Sequence, residues 1–219
     1  MHKLIQKLLT IENEIKSSIS NKNLDKLPKI IAVSKTFNID KILPLIEHGH
    51  IDYGENKVQE AVDKWTDIKS KNSNIKLHLI GKLQTNKVKF ALKIFDYIHS
   101  LDSEKLAIKI SSEQVKENKK PKLFMQVNIG NEEQKSGIDK EKIINFYQFC
   151  KNLNLDVVGI MCIPPISQDP EKYFLEMNKI NKDINLLNLS MGMSNDYIKA
   201  VQNNATFLRI GSKIFGKRD

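Results

Sequence analysis

The chain has 219 residues, 40% of them hydrophobic, enough to bury one sizeable core, and it is read as a single domain over 1–219. Its net charge of +9 comes almost wholly from lysines scattered among abundant Asn and Ile; only Arg209 and Arg218 are arginines, and no basic patch interleaves with aromatics, which argues against a nucleic-acid role. The two cysteines, Cys150 and Cys162, lack histidines at metal-ligand spacing, and no apolar run reaches about 18 residues, so disulfide, zinc and membrane-spanning classes fall away and a cytoplasmic protein is expected.

Leu4, Leu8, Ile11, Ile15 and Ile19 recur at helical spacing with charged residues between them, which predicts an amphipathic helix and not a signal peptide. A polar linker from Ser20 to Pro28 follows, so 1–28 are helix and linker, and 29–219 form the main body. From there short apolar runs alternate with helical patterns. Strands are expected at Ile30–Val33, Ile51–Tyr53, Leu77–Ile80, Tyr97–Ser100, Leu123–Val127, Val157–Met161, Asn188–Ser190 and Thr206–Ile210. Helices are expected near Asp40–His48, Lys57–Trp65, Thr85–Ile94, Ser103–Glu117, Asp139–Asn152, Pro170–Leu186 and Asn195–Gln202. Eight strands, each but the last followed by a helix, make an α/β chain with the pattern of a single parallel (β/α)8 TIM-type barrel. The N-terminal helix then covers one mouth or stands in for the missing last helix. An open doubly wound sheet is the competing arrangement.

Residues at the carboxyl ends of barrel strands form the active site, often with a phosphate site after strands seven and eight. Strand one, Ile30-Ile31-Ala32-Val33, delivers Lys35. A lysine there is either the first solvated residue of a loop or an amine in apolar surroundings, where a lowered pKa suits it to Schiff-base chemistry. Strand two ends at Gly54-Glu55-Asn56, and strand three at Gly81 with Gln84 and Asn86 beyond; strand five runs into Asn128 and the loop holding Lys135-Ser136-Gly137. Strand seven ends at Met191-Gly192-Met193-Ser194-Asn195, and strand eight at Arg209-Ile210-Gly211-Ser212. These last two loops together offer hydroxyls and free N–H groups to a phosphate, although either alone also reads as a helix cap or a turn.

Arg209, at the end of an apolar strand, needs an acceptor: either an ion pair with Glu55 or another carboxylate at the mouth, or a ligand atom. His78, between Leu77 and Leu79, is read first as a satisfied structural histidine. Gly211-Ser212-Lys213-Ile214-Phe215-Gly216-Lys217-Arg218 has the glycine and lysine spacing of a P-loop, but no Ser or Thr follows the lysine and no helix is expected to receive phosphates, so the match is taken as accidental.

Six segments carry a family resemblance: Ala32-Val33-Ser34-Lys35-Thr36, Tyr53 to Glu60, His78 to Lys87, Lys135-Ser136-Gly137, Met191 to Asp196 and Arg209 to Gly216. In this order and spacing they resemble the pyridoxal phosphate homeostasis proteins, also called YggS-like or PROSC-like, over the chain from about Ile30 onward. The resemblance implies a single barrel like the N-terminal domain of alanine racemase (PLP fold type III), with pyridoxal 5′-phosphate (PLP) held as an aldimine on Lys35. It implies phosphate contacts at Ser194, Gly211 and Ser212, with Met193 adjoining, and Arg209 facing the pyridine nitrogen. Asn56 and His78 match positions near the cofactor ring. Ser212 stands where many relatives carry Thr, which keeps the hydroxyl.

An arginine at the pyridine nitrogen weakens PLP as an electron sink, and only seven residues follow Ser212, so no second domain is at hand to supply another base. The expectation is therefore a PLP carrier or regulator of vitamin B6 balance, with PLP-dependent apoenzymes as recipients and no demand for a dimer, so a monomer. Two rivals stay open: a small amino-acid racemase with Lys35 as one base and Lys135 or His78 as the other, and a Schiff-base aldolase acting on a sugar phosphate without PLP.

Overall fold

The computed structural model describes residues 1–19, 27–132, 134 and 136–216. Most of the Ser20–Pro28 linker, Lys135, and Lys217 and Arg218 of the rejected P-loop match thus lie outside the described residues. Eight strands, β1 (Lys29–Val33), β2 (Asp52–Glu55), β3 (Lys76–Leu79), β4 (Tyr97–Leu101), β5 (Lys122–Val127), β6 (Val157–Cys162), β7 (Asn188–Met193) and β8 (Phe207–Ile210), close into a parallel barrel. Closure runs through β1 and β8, with Lys29 opposite Phe207 and Ala32 opposite Ile210. The barrel replaces the open-sheet alternative: strands this apolar must be covered on both faces, and closure leaves no edge.

Around the strands lie α1 (Lys3–Ile19), α2 (Ile39–Glu47), α3 (Val58–Lys71), α4 (Val88–Ile94), α5 (Glu104–Glu117), α6 (Ile143–Asn152), α7 (Glu171–Asp183), α8 (Tyr197–Gln202) and α9 (Ser212–Phe215). Single 3₁₀ turns, Thr85–Lys87 and Lys140–Lys142, lead into α4 and α6. One expectation is corrected here. The last strand does have a helix after it, the four-residue α9, too short to show as a periodic pattern. α1 buries Leu4, Leu8, Ile11, Ile15 and Ile19 and packs on α2, α8 and α9, so it stands in the ring where a full helix after β8 would lie.

The asparagine bias has a local use. Asn118, Asn154, Asn185 and Asn204 take the left-handed conformation just after α5, α6, α7 and α8. Asn tolerates that conformation better than other residues with a Cβ, and here it does the helix-ending work usually given to glycine.

Candidate functional site

Side chains alternate along each strand, and the inward set can be followed upward from the barrel interior. Ile31, Tyr97, Phe124, Met161 and Phe207 pack as a small inner cluster. Two residues further along their strands, Val33, Gln126 and Arg209 line a cavity of about 1140 Å³ at the carboxyl ends of the strands. One further step up β1 and β8 brings Lys35 and Gly211 to the same cavity, and β2 contributes Asn56. Met193, Ser194 and Ser212 complete the wall. Seven of the eight residues singled out from the sequence thus share one cavity, with Lys35 half-buried in it.

The β7 and β8 loops are joined where Lys213 N–H donates to Ser194 Oγ at 3.3 Å. Gly192 lets the end of β7 pass close to α8: its φ is +89°, and a Cβ there would stand 2.5 Å from that of Ala200. The Lys213 side chain ties the same loop to α1 and α8, donating to Glu14 Oε2 at 2.7 Å and to the Tyr197 hydroxyl at 2.6 Å, while Tyr197 bonds Glu14 in turn.

His78 is placed differently from the expectation of a ring neighbour. It does not line the cavity, because it lies two residues below Ile80, which does. It is fully buried inside the barrel, its ring stacked on Tyr97 with centroids 4.3 Å apart. Gln84 and Asn86 are exposed and outside the cavity wall.

Arg209 also departs from one of its two readings. Its terminal nitrogens donate to Ser190 Oγ at 2.7 Å and to the Cys162 carbonyl at 2.8 Å. Glu55 faces the other way and accepts from Ser34 Oγ, Lys64 Nζ and Trp65 Nε1, so the Arg209–Glu55 pair does not form.

Beneath Arg209 runs a buried chain that the sequence did not disclose. Ser190 Oγ lies 2.8 Å from His99 Nδ1, His99 Nε2 3.0 Å from His78 Nδ1, and His78 Nε2 2.9 Å from Asp52 Oδ1. Hydrogen-bond satisfaction assigns the protons. The Asp52 carboxylate only accepts, so His78 donates to it from Nε2; with both rings neutral, His78 Nδ1 then accepts from His99 Nε2, and His99 Nδ1 accepts the hydrogen of Ser190. Every bond points from Arg209 toward Asp52, and each histidine is neutral with one donor and one acceptor used.

Burial moves the titrations in the same sense. Complete desolvation lowers the pKa of His78 despite Asp52, and lowers that of His99 well below the usual value, with His78 and Arg209 adding to the effect. For Asp52 burial, the largest single influence, acts upward, but the hydrogen bond from His78 together with the charges of His78, Lys29 and His50 outweighs it and the carboxyl sits below its usual value. The unfolded chain therefore takes up protons on these histidines below about pH 6.5 while the folded chain takes them up only at lower pH, so stability is full above about pH 6.5 and falls as pH drops below it. Each histidine contributes a slope of up to about 1.4 kcal/mol per pH unit. Denaturant midpoints measured from pH 7.5 to 5.5 are expected to fall accordingly, and a flat profile would refute neutral, buried histidines. Glu55, pushed upward by burial, acts in the opposite sense from the ordinary carboxylate range upward.

An amine at one strand end, hydroxyls and backbone on two joined loops, and a guanidinium on the wall between suit a small anionic ligand carrying a carbonyl group. Comparison with known proteins bears on which. A family model described as the alanine racemase N-terminal domain matches residues 17–219. The pyridoxal phosphate homeostasis protein of Aquifex aeolicus is 36% identical over 200 residues, covering 87% of each chain. PipY of Synechococcus elongatus, 29% identical, superposes with a TM-score of 0.86 over 98% of this chain and 100% of its own in a structure without PLP. With PLP bound, PipY superposes with a TM-score of 0.80 over 92% of this chain and 100% of its own. Alanine racemase of Clostridium difficile, 15% identical with a TM-score of 0.72, matches 99% of this chain and 57% of its own, a likeness of fold.

Proposed function

The chain belongs to the pyridoxal phosphate homeostasis family, built on the alanine racemase N-terminal domain, and from that premise we propose that it binds PLP in this cavity, anchors it to Lys35 and serves intracellular vitamin B6 balance without strong catalysis of its own. The observation that carries the reading is the convergence of Lys35, Ser194, Arg209, Gly211 and Ser212 on one cavity. PLP supplies an electrophilic aldehyde and a ring able to accept electrons. Lys35 would offer its amine to that aldehyde. Ser194, Ser212 and the Gly211 backbone would hold the phosphate, with Met193 and Asn56 beside the ring. Arg209, always charged, would leave a neighbouring ring nitrogen unprotonated.

That last role favours a carrier over a racemase, since an unprotonated ring nitrogen stabilises a carbanion poorly. The placement of His78 supports the same choice: both its nitrogens are engaged below the cavity, so it is not a base available to a substrate. In this reading the protein is a cytoplasmic monomer that keeps free aldehyde low and yields PLP to apoenzymes.

The test is the absorption spectrum of the protein with PLP, then borohydride reduction and peptide mapping. A yellow band and a reduced adduct on Lys35 are expected; a colourless protein, or adducts spread over surface lysines, would point to the sugar-phosphate aldolase. Incubating the loaded protein with single L-amino acids in D₂O separates carrier from racemase. Robust deuterium uptake at Cα would overturn the carrier.

A further inference from the structure

Lys35 sits in a tight turn whose geometry runs against its sequence. Phe37 N–H donates to the Ser34 carbonyl at 3.1 Å, closing a turn with Lys35 and Thr36 as its central residues. Thr36 has φ = +69°, the conformation that a type II turn reserves for glycine or asparagine at this position. A β-branched residue there is strained, and it persists only where the surroundings hold it.

The surroundings are charged and specific. Glu60 Oε1 accepts from the Thr36 N–H at 2.5 Å. Lys64, one helical turn along α3, donates to the Ser34 carbonyl at 3.0 Å and to Glu60 Oε1 at 3.1 Å. Lys64 is itself fixed from below by the buried Glu55, whose Oε1 accepts from it at 3.0 Å and also from Ser34 Oγ and Trp65 Nε1. The peptide groups on both sides of Lys35 are thus gripped by one face of α3, the carbonyl of Ser34 by a cation and the N–H of Thr36 by an anion. Neither Glu60 nor Lys64 lines the cavity.

We propose that Glu60 and Lys64 are positioning residues that hold the turn at Thr36 in its left-handed form and so aim the Lys35 amine for Schiff-base formation. This rests on Lys35 being the PLP anchor. The energy that keeps the turn strained comes from charge-assisted hydrogen bonds to the backbone, stronger than neutral ones. Glu60 lies on the outer part of α3 with its side chain about a quarter exposed, so its removal leaves the core intact.

The test uses Glu60→Ala, Thr36→Gly and the double variant. Without PLP, hydrogen exchange of the Thr36 amide by NMR is expected to speed up about tenfold in Glu60→Ala, the loss of one charge-assisted hydrogen bond. With PLP, the rate at which the visible Schiff-base band appears is expected to fall about tenfold. Adding Thr36→Gly to Glu60→Ala is expected to bring that rate back to within about twofold of wild type, because glycine takes a positive φ without strain. A merely structural role for Glu60 would not be rescued by a change at Thr36. The inference is overturned if Glu60→Ala leaves both exchange and rate within twofold of wild type, or if Thr36→Gly gives no recovery. Should wild-type protein form no Schiff base on Lys35, the proposed function falls by itself, while the exchange comparison still decides whether Glu60 holds the turn.

Discussion

Lys35→Ala protein mixed with PLP is expected to show no visible Schiff-base band and, after borohydride reduction, no specific adduct. The chain has 33 lysines, so the expectation is a strong one. It follows from placement. An exposed lysine is protonated and hydrated at neutral pH, and it meets the aldehyde only by chance encounter. Lys35 faces the same cavity as the paired loops at Ser194 and Ser212, so phosphate binding there would turn condensation into a reaction between groups already held together. Loss of the amine removes the covalent bond but leaves hydroxyls, backbone and guanidinium in place. Weaker, non-covalent and colour-shifted binding should persist, detectable by equilibrium dialysis. A wild-type band in Lys35→Ala would transfer the anchor to another lysine and end the assignment.

The second large effect is on stability. Arg209→Ala is expected to destabilise the fold by about 4 kcal/mol, combining lost hydrogen bonds to a charged donor with the cavity left by a large side chain. Arg209 is 5% exposed. Its removal strips a donor from the Cys162 carbonyl and from Ser190, and Ser190 is the first link of the chain through His99 and His78 to Asp52. Urea unfolding at pH 7.5 measures it. A loss under about 1 kcal/mol would mean that the chain reorganises freely and that Arg209 is dispensable to it.

Much of this architecture was legible because each strand of a doubly covered barrel is a short apolar run with a polar residue at its carboxyl end. That is why Lys35, Asn56, Ser194, Arg209 and Ser212 could be picked out before their neighbours were known. What alternation does not give is height. Period two places His78 and Ile80 on one face but does not say which of them reaches the cavity; Ile80 does, and His78 fits the reading of a satisfied structural histidine. Glu55 could have been read better. If Asn56 faces the cavity, Glu55 beside it must face the helices, which excludes a pair with Arg209. The buried chain from Ser190 to Asp52 joins four strands and has no signature in any one of them. His99, two residues after Tyr97 on an inward face, was its single visible trace.

Pairing of β1 with β8 joins residues 178 positions apart, Lys29 with Phe207, and α1 packs on α8 and α9 at the same seam. During synthesis at about 5–20 residues per second, the first strand and helix emerge roughly 10–35 s before their partners exist. Through that interval the stripe of Leu4, Leu8, Ile11, Ile15 and Ile19 has only α2 among its native neighbours, and one edge of β1 has no native partner. Ring closure is therefore the last and slowest native event available to the nascent chain, and the period before it is when chaperone capture and aggregation compete with folding.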